Sequence, residues 1–129
     1  PSEQIKSLAD GKSIFVTGFV ENLENAISDS CVAVAPVRIA AGIQNKVLVA
    51  MGCGVPVVMT PLISAAIPEL SDGKNCIIKN SAAEIAESVV RLMNDENYRN
   101  SIAENGYRMV KENYSWNKKL DGYEEIVRN

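Results

Sequence analysis

A glycine, two amides and a lysine stand together as Gly42, Gln44, Asn45 and Lys46, inside the stretch PVRIAAGIQNKVLVAMGCGVPVVMT that runs from Pro36 to Thr60. These residue types at this spacing can hold an anion. Gly42 lets a ligand approach the backbone with no side chain in the way. Gln44 and Asn45 offer neutral N–H donors, Ile43 lies between them and the glycine, and Lys46 adds a point charge. A helix that opens at Gly42 supplies unpaired N–H groups and a partial positive charge, both favourable to phosphate. A lysine in a first helical turn opposes the helix dipole, so an anionic ligand would account for it. By spacing alone the same residues also fit a plain loop glycine and a solvated lysine, and the pattern is neither GxGxxG nor Walker. The chain contains no histidine. Ser-His-Asp and Cys-His catalysis are therefore excluded, as are most transition-metal sites.

The flanking sequence predicts the elements that hold this segment. Ser13 to Thr17 (SIFVT) reads as a strand ending at Gly18, and Val20 to Ser28 as a helix with Leu23 and Ile27 four apart. Cys31 to Ala35 (CVAVA) is a continuous apolar run, the form of a strand buried on both faces. Gly42 to Cys53 is the next helix, closed by Gly54. Pro56 to Thr60 is a further buried strand, Asp72-Gly73 a turn, and Cys76 to Lys79 a last short strand. Strand and helix in alternation predict an α/β, Rossmann-like parallel sheet flanked by helices. In such a sheet ligands bind beyond the carboxyl ends of the strands, where the Gly42 turn falls.

From residue 81 onward only helices are expected. Ser81 and Glu84 form a capping box ahead of Ile85, Val89 and Leu92. Asp95 caps a second helix that turns Tyr98, Ile102 and Met109 inward, and Ser115 a third that carries Trp116, Leu120, Tyr123 and Val127. The whole chain, 1–129, reads as one domain: an α/β portion over 1–80 and helices over 81–129 packed on it.

Composition narrows the partners. The 129 residues are 47% hydrophobic and 22% charged, ordinary for a globular domain. Thirteen basic against 16 acidic residues give a net charge of −3 with no basic block, so no nucleic-acid partner is expected. Cys31, Cys53 and Cys76 lack disulfide or zinc spacing and read as small buried hydrophobes in a reducing compartment. No apolar run reaches the ~20 residues of a membrane span, and no signal peptide is seen. No DxD cluster is present to bind a metal: Asp29 stands alone and Asp95-Glu96 has the form of a helix cap. The chain starts at Pro1 and is expected to be a piece of a longer protein.

The stretch from Pro36 to Thr60 resembles the PLRIARGIQNKVLEAMAMGLPVVAT segment of family 4 (group 1) glycosyltransferases with the GT-B fold, close to the sugar transferases of exopolysaccharide export systems. The likeness extends through TGFV at Thr17 to Val20 and to YSW at Tyr114 to Trp116, covering nearly the whole chain in order. It implies part of a C-terminal GT-B domain, with a nucleotide-diphosphate sugar as substrate and no cofactor. The nucleoside would dock at Gly18, Phe19 and Val20. The donor diphosphate would meet Gly42, Ile43, Gln44, Asn45 and Lys46. The helix with YSW would pack on a partner domain. Cytoplasmic placement follows, peripheral to the inner membrane face in a full-length parent.

Two departures temper what the resemblance implies. The family's ribose-binding glutamate before AM is Val49 here, and a glutamate or arginine eight positions earlier is Ala41. Leaving sugar hydroxyls without that partner costs on the order of a few kcal/mol of binding. The family's diphosphate-neutralising arginine and lysine belong to an opening strand–loop–helix unit ahead of Pro1, and the acceptor domain is likewise absent. The isolated chain is therefore expected to be catalytically inactive, and to self-associate through an exposed sheet edge. A degenerate, non-catalytic binding or assembly domain is the alternative, motivated by Val49 and Ala41. A nucleotide-sugar epimerase is disfavoured by the missing histidine and the YSW ending, and a receiver-like domain by the lack of an acidic pocket.

Overall fold

The structure, a computed structural model, describes residues 3–17, 21–38 and 44–114. Helices α1 (Glu3–Lys6) and α2 (Leu23–Ile27) precede strand β1 (Ala33–Ala35). Helix α3 (Gln44–Gly52), strand β2 (Val57–Met59), helix α4 (Pro61–Ser64) and strand β3 (Ile77–Ile78) follow. Helices α5 (Ala82–Asn94) and α6 (Glu96–Asn113) complete the described chain. The strands form one parallel sheet in the order β1-β2-β3, with Val34 beside Val58 and Met59 beside Ile78.

Strand alternation divides the core into two layers. On one face Ala35, Val57 and Met59 pack with Val47, Ala50 and Met51 of α3 and with Met109 and Val110 of α6. On the other, Val58 and Ile77 pack with Ile85 and Leu92 of α5 and Ile102 of α6. Helix α6 thus serves both layers, its first half one face and its last half the other. Between them lies Gly106, where an added Cβ would come within 3.0 Å of the Asn75 carbonyl and of Met51 Cε. A side chain fits that crossing only if the Asn75 carbonyl gives by a few tenths of an ångström.

Local chemistry explains the helix ends. Helix α3 stops in a Schellman turn: Gly54 N–H donates to the Met51 carbonyl at 3.0 Å and Val55 N–H to the Ala50 carbonyl at 3.1 Å, with Gly54 at φ +79°. The Ser81–Glu84 capping box forms in both directions, and the Asp95 carboxylate accepts from Tyr98 N–H at 3.0 Å. Arg99 donates to the carbonyls of Leu92 and Met93, each at 3.1 Å, and so closes the end of α5. The Arg91 guanidinium lies 3.7 Å above the Tyr98 ring and joins α5 to α6.

Several expectations need correction. Ser13 to Thr17 forms no strand, and Ile14 and Phe15 are exposed. The Asp10 carboxylate takes the N–H groups of Lys12, Ser13 and Ile14 at 2.7–2.9 Å, together with the Ser13 hydroxyl, so a local turn claims donors that a ladder would use. Those bonds to the charged form also hold the Asp10 carboxyl well below the usual carboxylate range, the Ser13 hydroxyl contributing most. The run from Cys31 to Ala35 is a strand only from Ala33, and not one buried on both faces: Val34 is 43% exposed. It shares a face with fully buried Val58, but α5 packs on β2 and leaves β1 without that cover. Cys31 is accordingly exposed and Cys53 half-buried; Cys76 alone is the enclosed thiol expected, its pKa pushed up to about 12 chiefly by burial. Helices α1 and α4 lie in segments where no helix was expected. The third C-terminal helix, with Trp116, Leu120, Tyr123 and Val127, falls outside the described residues.

Candidate functional site

Three parallel strands end side by side, and the chain segments leaving them are laced together. The β1 segment continues through Pro36, Val37 and Arg38, β2 ends at Thr60, and β3 is followed by Lys79 and Asn80. Thr60, only 2% exposed, donates its N–H to the Ala35 carbonyl at 3.3 Å and its hydroxyl to the Val37 carbonyl. Lys79 N–H donates to the Met59 carbonyl at 3.0 Å. Arg38 reaches across, its Nη1 donating to Asn80 Oδ1 at 3.3 Å and its Nη2 to the Asn80 backbone carbonyl.

Helix α3 enters beside these ends. Its first turn carries no acidic residue, and Lys46 is exposed there. Among the described residues neither Lys46 nor Arg38 forms an ion pair with a carboxylate. Lys46 shares a cleft of about 210 Å³ with Pro36 and Val37 on one side and Ile27, Val47 and Ala50 on the other. The result is an apolar recess that runs along β1 from Ala33, with Pro36, Val37 and the exposed Lys46 at its end by the carboxyl ends of the strands. That end is the position where open α/β sheets bind ligands.

Of the residues singled out from sequence, Gln44, Asn45, Lys46 and Val49 lie on α3. Asn45 and Val49 are half-buried, and Val49 brings no hydrogen-bonding side chain to the helix. Gly42, Ile43 and Ala41 lie outside the described residues, as do Gly18, Phe19 and Val20. Sequence reasoning missed Arg38, Thr60 and Asn80. The Arg38–Asn80 pair is separated by 42 positions and leaves no local signal, although Arg38 stands within the PVRIAAGIQNK motif. Among the described residues no group of three or more acidic or thiol side chains could hold a metal ion. No helix there is long and apolar enough to cross a membrane.

Comparison with known proteins agrees with this architecture. The family model described as glycosyl transferases group 1 matches residues 1–95. The chain is 31% identical, over 132 aligned positions, to an uncharacterized glycosyltransferase of Methanocaldococcus jannaschii. The alignment covers 96% of this chain and 33% of that protein, so the chain spans about a third of the relative's length. No solved structure gives a significant match.

Proposed function

The chain belongs to the group 1 glycosyl transferases, and we propose that it forms the donor-binding portion of an enzyme that moves a sugar from a nucleotide diphosphate to a glycan or lipid-linked acceptor. One observation carries this reading. Lys46, free of any carboxylate partner among the described residues, lines a cleft that runs along β1 and reaches the carboxyl end of the sheet at Pro36 and Val37. In this reading Lys46 and the amides of Gly42 to Asn45 steady the phosphate that becomes the leaving group, and Gly18 to Val20 receive the nucleoside. Charge stabilisation of that kind acts on the transition state, whereas positioning the acceptor needs a second wall. The acceptor domain is thus a required partner for turnover.

A second reading has its own observation. Val49, half-buried on α3, offers no acceptor where the family's sugar-binding glutamate stands. That fits a donor site weakened to a binding or assembly role. Titration of the chain with UDP, GDP and their sugars, followed by amide NMR, tests both readings. Millimolar binding that shifts Gln44 to Lys46, is lost in Lys46→Ala and tightens about tenfold in Val49→Glu supports a donor site that has lost one anchor. If no nucleotide moves a resonance near Lys46, the donor reading is wrong.

A further inference from the structure

The lacing at the strand ends has a direction. Thr60 is buried and fixed in β2's exit, and its hydroxyl holds the Val37 carbonyl. Arg38, the next residue, is held from the far side of the sheet by both oxygens that Asn80 can offer. Val37 and Arg38 are therefore pinned from two strands at once, and Val37 lines the cleft that Lys46 also lines. Asn80 is itself well placed to resist, since Ser81, directly after it, is locked in the capping box of α5. A planar guanidinium can fork onto two acceptors of one residue, whereas an ammonium cannot reproduce that fixed geometry.

We propose that Arg38 is a positioning residue for the anion site: its clasp on Asn80, with the Thr60 bond to Val37, sets the angle between the β1 exit and the Lys46 end of α3. This inference rests on the donor-site reading of that cleft. The clasp acts through geometry, so its charge alone does not replace it. Arg38→Lys keeps the charge and loses the fork, and Thr60→Val removes the second tie with no change of charge.

Calorimetric titration of the chain with UDP and with GDP, beside a urea unfolding curve for each variant, tests the proposal. Arg38→Lys and Thr60→Val should each weaken nucleotide binding about fivefold or more, and the double variant should be less than the product of the two, because both ties act on one segment. In the unliganded protein each should also shift the amide resonances of Asn45 and Lys46. Parallel loss of folding stability, enough to account for the weaker binding by the unfolded fraction, would overturn the positioning role. So would an Arg38→Lys variant that binds as tightly as the wild type. If Arg38→Lys and Thr60→Val bind normally while Lys46→Ala does not, the donor reading stands and the clasp is discarded. If the unaltered chain binds neither nucleotide, the donor reading fails and the clasp's role falls with it.

Discussion

Tyr114 and Glu69 lie 45 positions apart and share a hydrogen bond of 2.8 Å. Partial burial and the adjacent Glu69 carboxylate push the Tyr114 hydroxyl up to about 12 from its ordinary 10. The protonated, neutral form is the one the fold favours. Its contribution to stability is full below pH 10 and is lost as pH rises from there through 12. The urea midpoint of the wild type should therefore fall more steeply between pH 10 and 12 than that of Tyr114→Phe. Equal slopes would show that the hydrogen bond carries no linkage. At Gly106 the prediction is steric. Gly106→Leu forces a side chain against the Asn75 carbonyl and Met51, and should cost about 1–3 kcal/mol, read from the urea midpoint. Neither contact was legible in the sequence. Tyr114 appeared only as part of YSW, and Gly106 was not singled out at all. Each draws its meaning from a residue remote in the chain. The place of Lys46 in the first turn of a helix was legible, because helix pattern and charge are local facts.

At the level of elements, what could be read was what is decided within four or five residues. The caps at Ser81, Asp95 and Gly54 were all visible, since side chain and recipient N–H, or glycine and turn, are neighbours. Their energies follow from the same locality. Asp95→Ala should lower stability by about 1 kcal/mol. Gly54→Ala, forced to hold φ +79°, should lower it by roughly 1–2 kcal/mol. A thermal-melt series measures both, and an unchanged midpoint in either would refute the cap concerned. What could not be read was whether an apolar run finds a ladder partner. SIFVT has the composition of a strand, yet Asp10 ahead of it gathers the backbone N–H groups of Ser13 and Ile14, along with that of Lys12. The short α4 was signalled by Thr60-Pro61, an N-cap position followed by proline at the first helical position, but its four residues are too few for any periodicity to register.

Across the whole molecule, the sheet has one side open among the described residues. Ala33 N–H donates to the Pro56 carbonyl at 2.9 Å and the Ala35 carbonyl accepts from Thr60 N–H, so the polar groups of Val34 between them face away from β2. With Val34, Ile14 and Phe15 all exposed, the chain is expected to self-associate along β1. Light scattering at micromolar concentration should give more than the monomer mass, and Val34→Lys should restore the monomer; a wild type that is already monomeric would refute this. The parallel order of the sheet was legible from the alternation of apolar runs and helices, whereas its unpaired side depends on which strands meet. Helix α6 gives the molecule its other global property. One continuous helix contributes Ile102 to one layer and Met109 and Val110 to the other, so melting of either layer withdraws packing from its neighbour. Truncating Ile102 to alanine, at about 2–5 kcal/mol, should therefore lower the hydrogen-exchange protection of amides on both sides of the sheet by the same amount. In that sense α6 makes two cores a single thermodynamic unit.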